Sequence, residues 1–423
     1  MPILTARPLR HAWRLAGPAR SAPACLGLSL LLAGCASAPP PALAPAPLAA
    51  ADAAVQRYVD AAQMPGAVLW IEHGGEHHER AFGRRVLPGP EAAEPMTVDT
   101  LFDAASLTKA TVTSLVVEKL REAGRLDVDA PLARYLPECG GADKAAITLR
   151  ELLTHSSGLR PDLPKDDEFF AGAEPSSVEM PSAQRAARIE QAVIRACALP
   201  LASVPGTQFR YSDLNYILLG AVAARVGGAP LEQLAAELVF APLGMADSGY
   251  LPLDRGVAAA RIAPTARVGT MLLRGVVHDP TARAMGGVAG HAGLFTTAAD
   301  LARLGRMLLA DGLTEDGRRY LSHESIVLLE MPQSGLAARR SLGWDIATPF
   351  SRRGALYPKG ESFGHTGFTG TLFWLDPRSR SFVILLSNRV HEPHDTNLLP
   401  LYDTLATDAA AAAGVAAPRA ATP

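Results

Sequence analysis

Lysine is scarce in this chain: of 40 basic residues only five are lysines, namely Lys109, Lys119, Lys144, Lys165 and Lys359. Arginine supplies nearly all the generic positive charge, so a persisting lysine marks a position where a titratable amine has a use. Net charge is lacking too, at −2 over 423 residues, which removes any general electrostatic reason to bind a polyanion and argues against nucleic acid as a partner. The histidines form no cluster with acidic residues at metal-ligand spacing, so neither a metal nor another cofactor is expected. No internal repeat is present. What the chain does have is apolar residues, 48% of the total, enough for one unusually large domain or two closely packed ones.

At the N-terminus Arg7, Arg10, Arg14 and Arg20 precede an apolar stretch over residues 22–33, which ends in Leu32-Ala33-Gly34-Cys35. A basic region, an apolar region and a small-residue site in that order read as an export signal, too short for a comfortable spanning helix. The last four residues resemble the bacterial lipobox, in which the cysteine receives lipid. Residues 1–35 are therefore expected to be a lipoprotein signal segment with Cys35 lipidated, the membrane a partner through that lipid, and the domain on the periplasmic side of a bacterial membrane. A plain secretory signal giving a soluble protein and an uncleaved anchor are the alternatives. Residues 36–51, almost all Ala, Pro and Leu, read as a semi-extended spacer, 52–407 as the folded domain, and 408–423 as a frayed tail. Cys139 and Cys197 read equally well as a disulfide in an oxidising compartment or as two buried thiols.

Within the body, residues 67–72 and 77–82 read as strands around His73-Gly74-Gly75, and 371–375 and 382–387 as a second hairpin. The last strand is nearly all apolar, as expected inside a sheet covered on both faces. Helical spacing appears over 107–123, 231–239, 300–309 and 324–329. The fold class expected is α+β: an antiparallel sheet built from both ends of the chain, flanked by helices, with a mainly helical insert and a long irregular loop over 161–183. The acidic residues of that loop, Asp162, Asp166, Asp167 and Glu168, read as a solvated face.

One lysine stands out. Lys109 is the only one with a serine three positions before it, in Ser106-Leu107-Thr108-Lys109, and residues three apart share a helix face. A serine hydroxyl becomes a nucleophile when a base takes its proton, and lysine can serve if burial or nearby positive charge lowers its pKa. The apolar neighbours Phe102, Ala104, Ala105 and Leu107 are a costly setting for an idle ammonium.

Together with Tyr211-Ser212-Asp213 and His365-Thr366-Gly367, this motif resembles the three motifs of the penicillin-recognising serine hydrolases: class C-type beta-lactamases, D-alanyl-D-alanine carboxypeptidases and related carboxylesterases. The resemblance spans about residues 52–403. It implies a beta-lactamase/transpeptidase-like fold and an acyl-enzyme on Ser106, activated by Lys109 and Tyr211. The backbone N–H groups of Ser106 and Phe368 would form the oxyanion hole, while Asp213, His365, Thr366, Gly367 and Phe368 bind substrate. The implied substrate is a cell-wall peptide or a small ester or amide, with D-alanyl-D-alanine carboxypeptidase first, then esterase, beta-lactamase, and an acylating sensor with little turnover. Two departures matter. Asp213 stands where the family often has Asn, which places beta-lactam turnover in doubt, and His365 stands where a lysine usually meets a carboxylate, implying a substrate without one or a site favouring lower pH. His155 and His291 read as hydrogen-bonded scaffold, and Tyr216 and Trp344 as candidate cleft aromatics.

Overall fold

Apolar alternation near both ends of the chain becomes the centre of one antiparallel sheet. The computed structural model describes residues 42–89, 91–171, 180–269, 271–391 and 396–416; Cys35 and the signal segment lie outside them. The sheet comprises β1 (Gly66–His73), β2 (Glu76–Val86), β3 (Glu94–Pro95), β8 (Arg339–Arg340), β9 (Asp345–Ala347), β10 (Phe363–Gly367), β11 (Thr371–Asp376) and β12 (Ser381–Ser387), in the order β3-β2-β1-β12-β11-β10-β9-β8. Two short pairs lie outside it, β4 (Phe102–Asp103) with β7 (Phe295–Thr296) and β5 (Arg267–Val268) with β6 (Met271–Leu272). The N-terminal hairpin joins the C-terminal one through β1 and β12, with Leu69 opposite Leu385 and Ile71 opposite Val383.

Helices cover both faces. They are α1 (Pro45–Asp60), α2 (Ser114–Glu122), α3 (Leu149–Leu153), α4 (Ser182–Ala198), α5 (Asp213–Gly227), α6 (Leu231–Ala235), α7 (Ala241–Leu243), α8 (Pro280–Ala284), α9 (Ala298–Leu309), α10 (His323–Glu330) and α11 (Leu399–Ala412). Successive strand side chains point to opposite faces, so Leu69, Ile71, Trp374 and Leu385 pack with α1 and α11, while Phe373, Phe382 and Ile384 join the larger core formed with the helical insert. With both faces covered, all seven residues of β12 are buried. Gly305 lets α9 lie close to the sheet: a Cβ there would come within 3.2 Å of the Phe373 and Phe382 rings.

Two boundaries need correction. Residues 45–51, expected in the spacer, form the first turns of α1, whose Ala51 is buried. Residues 408–412, expected in the tail, continue α11 with Ala409, Ala410 and Ala412 buried. The α1 and α11 ends meet where Ala44 N–H donates to Ala412 O at 2.9 Å. Cys139 and Cys197 are joined as a disulfide, with Cα atoms 4.7 Å apart, closing the path between the 139 turn and α4.

Candidate active site

The segment before Ser106 is fixed by hydrogen bonds from three directions. β4 pairs with β7, and the Thr369 and Thr371 hydroxyls, on the turn and strand after β10, donate to Asp103 O at 2.7 Å and Ala104 O at 3.1 Å. The buried Asp103 carboxylate accepts from Ala105 N–H at 2.9 Å and His278 N–H at 2.7 Å. Ala105 sits at φ +47°, a left-handed conformation that a non-glycine residue holds only when its surroundings enforce it. Gly367 completes the turn, since a Cβ there would lie 2.5 Å from Ala104 O.

Beyond Ser106 the chain enters a helix, as expected, but its first part is a wide π turn over Lys109–Thr113 before α2 begins. Such turns occur frequently at functional sites because they re-aim side chains. Lys109 is fully buried, and its Nζ meets Ser106 Oγ at 2.8 Å, His291 O at 3.0 Å and Asp213 Oδ1 at 2.7 Å. The Asp213 contact is an ion pair. All three neighbours suit an ammonium. Burial pushes the Lys109 amine down, but the Asp213 carboxylate and the Tyr211 phenol outweigh it and hold the amine above its ordinary value. The condition under which Lys109 would take the serine proton, a lowered pKa, is therefore opposed by its neighbours.

Tyr211 lies beside this cation, with Lys109 Nζ 5.1 Å from its ring centroid. His155 backs the phenol ring at 4.4 Å, and Phe350 and His365 flank it at 5.5 and 6.1 Å. His155 is itself strained, at φ +55°. Its Nδ1 accepts from Ser212 N–H at 3.2 Å and faces the Asn215 amide at 3.0 Å, which places its proton on Nε2. Burial, then the charges of Arg340 and Lys109, keep His155 neutral. The same causes hold His365 well below the usual imidazole range, so lower pH does not readily turn it into a cation. With Nδ1 paired to Thr366 O at 2.8 Å, His365 Nε2 has no partner among the described residues.

The structure thus gathers Ser106, Tyr211, Asp213, His365, Thr366, Gly367 and Phe368 around one cleft of about 790 Å³, with Lys109 in its wall. Among the described residues the backbone N–H groups of Ser106 and Phe368 have no acceptor. Tyr216 and Trp344 do not line the cleft: Tyr216 is buried with its hydroxyl on Leu153 O, and Trp344 packs between Phe363 and Phe373. Asp162 is not merely solvated, since it accepts from Thr281 at 3.1 Å and burial raises its pKa; Asp167 pairs with Arg195 at 2.7 Å. His291 is scaffold, its ring 2.8 Å from Asp279 and its carbonyl on Lys109. Among the described residues no three His, Cys, Asp or Glu side chains converge on a metal-sized site.

Sequence reading missed Arg340, Phe350, His278 and Asp279, all of which line the cleft. Asp279 had a legible signal, because Asp followed by Pro280 marks a helix start, and it does cap α8. Arg340 had none, being one arginine among many. It is 1% exposed, pairs with Asp345 at 3.5 Å, donates to Gly343 O at 2.8 Å, and among the described residues its buried Nε has no partner.

An antiparallel sheet joined from both chain ends, with a serine and a buried lysine packed against the end of β10 beside a tyrosine, defines a serine hydrolase of the Ser-x-x-Lys type. The family profile described as Beta-lactamase matches residues 51–408, and the chain belongs to that family. It is 33% identical over 322 residues to an Escherichia coli protein named "Putative D-alanyl-D-alanine carboxypeptidase", covering 70% of this chain and 71% of that one. It is 30% identical over 372 residues to a Bacillus subtilis N-acetylmuramyl-L-alanine amidase, covering 79% of each. Its fold matches a penicillin-binding protein homologue from Caulobacter crescentus at TM-score 0.66 and 21% identity, over 89% of this chain and 100% of the other. A hydrolase with promiscuous acyltransferase activity matches at TM-score 0.65 and 21% identity, over 86% and 99%.

Proposed function

We propose that the protein is a carboxypeptidase of the D-alanyl-D-alanine type, acting on cell-wall peptides from the periplasmic side of a bacterial membrane, with a lipid on Cys35 as its anchor. The observation that carries this reading is Arg340: a guanidinium lining the cleft, held in place by Asp345 and Gly343 O, where neutral His365 offers no charge of its own. A planar guanidinium suits a terminal carboxylate. The wall-related names of the curated relatives support the same substrate class.

In this reading Tyr211 reacts as the phenolate paired with the Lys109 ammonium, and takes the Ser106 proton as Oγ attacks the peptide carbonyl. The Lys109 ammonium, 2.8 Å from Ser106 Oγ, stabilises the negative charge as it moves. The Ser106 and Phe368 N–H groups receive the oxyanion, and Tyr211 returns the proton to the departing D-alanine nitrogen. Water then attacks the ester on Ser106, giving its proton to Tyr211, which passes it to the departing Ser106 Oγ as the acyl product leaves.

The test uses a soluble chain starting after Cys35, with Ser106→Ala and Arg340→Gln beside it. Acylation is read by intact mass and turnover with a D-alanyl-D-alanine peptide, a short-chain aryl ester and a chromogenic beta-lactam. Peptide release should vanish in the Ser106 variant. Arg340→Gln should raise KM for the peptide at least tenfold relative to the ester, which has no carboxylate. Ester turnover without peptide release moves the protein to the esterase reading, which the apolar rim of the cleft favours; acylation without release makes it a sensor.

A further inference from the structure

Two faces of the cleft differ in chemistry. Tyr211, His365 and Arg340 form a polar side, suited to a leaving group that needs a proton and carries a carboxylate. On the other side, around Phe368, the lining is Leu398, Leu399 and Tyr402 together with His278, Arg389 and Asn397; of the apolar members Phe368 and Leu399 reach solvent, while Leu398 and Tyr402 are buried behind them. Phe368 is 61% and Leu399 41% exposed, and large apolar side chains held in solvent around a nucleophile mark a recognition surface.

Phe368 is not merely left in solvent; it is held there. The Arg389 guanidinium carbon lies 4.8 Å from its ring centroid, and Arg389 Nε donates to Phe368 O at 2.8 Å. The same guanidinium donates through Nη1 to Thr396 O at 2.8 Å, which ties the ring to the segment leading into α11. His278 stacks on Phe368 at 5.5 Å and 23°, and its backbone is fixed by Asp103. Gly367, one residue earlier, packs on Ala104 and Ala105 beside the nucleophile. A preset ring loses little freedom when a ligand arrives.

We propose that this side is an acyl pocket that selects substrates whose acyl half carries a hydrocarbon or aromatic group, packed between Phe368 and the Leu398–Leu399 start of α11. The inference rests on the Ser106 acyl-enzyme reading and adds the class of acyl group that the enzyme takes. Two matched series test it: p-nitrophenyl acetate, butanoate, hexanoate and phenylacetate, and D-alanyl-D-alanine with the same acyl groups on its N-terminus. Phe368→Ala and Leu399→Ser are assayed beside the wild type, and the readout is the hexanoyl-to-acetyl ratio of kcat/KM within each protein, so a general loss of rate cancels.

Burial of a methylene corresponds to about three- to fourfold, so the wild-type ester ratio should exceed about tenfold and fall at least fivefold in each variant. A flat wild-type series overturns the pocket while leaving the acyl-enzyme intact. A steep series that neither variant changes overturns its placement. Ester selectivity without peptide cleavage upholds the pocket and removes the carboxypeptidase reading. No acylation by any ester or peptide removes the acyl-enzyme, and the pocket with it.

Discussion

Asp213 replaces an amide by a carboxylate at the one place where it touches Lys109. A negative charge there holds Lys109 as an ammonium and opposes loss of a proton from the groups around it. Asp213→Asn should therefore move the acidic limb of the kcat/KM profile to lower pH, by about one unit for a single charge at this range. A limb that stays in place would show that the carboxylate does not tune the proton acceptor. The residues themselves were visible in sequence, because serine, lysine and tyrosine stood in recognisable motifs. The protonation state of Lys109 was not: burial argued for a free amine, and the neighbouring Asp213 and Tyr211, brought close only by the fold, reverse the sign.

At the scale of elements, the turn ahead of Ser106 depends on one buried carboxylate shared by two chain segments. Burial raises Asp103 to about 6, partly opposed by the His278 and Ala105 N–H donors. The folded state thus holds that proton to higher pH than the unfolded chain, whose carboxyl titrates near ~4. Its stabilising contribution is complete below that value and is lost as pH rises through about 6. Asp103→Asn does not titrate, so between pH 4 and 7 the wild type should lose about 2–3 kcal/mol relative to it, as read from urea midpoints; a change of the opposite sign would count against this carboxyl. The strands of 67–72, 371–375 and 382–387 were legible because each has enough apolar residues in a run to show a period, and 77–82 because the His73-Gly74-Gly75 turn folds it back on the first. β8 and β9 were not, at two and three residues, and they carry Arg340 and Asp345 into the cleft wall.

For the whole molecule, α1 was hidden by its composition. Alanine and proline suggested an extended spacer, yet alanine is the best helix former and proline is tolerated in the first turn, as Pro45 and Pro47 are here. A chain that starts at residue 52 cuts this helix in two, removing buried Ala51 and half-buried Leu48 from the outer layer. It should lose about 2 kcal/mol, or about 2–4 °C in Tm, against a chain starting at residue 42. Equal melting curves would show that the first turns of α1 add nothing.

The bond between Ala44 and Ala412 brings the two ends of the folded body to one corner. α11 runs from the cleft, where Leu399 and Tyr402 line the wall, to that corner, a distance of about 20 Å for its 14 residues. A tether or fusion attached at either end therefore pulls from the same point, one helix length away from the mouth of the cleft. Linking the two ends would close the chain into a ring with only a short bridge, so this body is suited to circular permutation with its substrate entrance left clear.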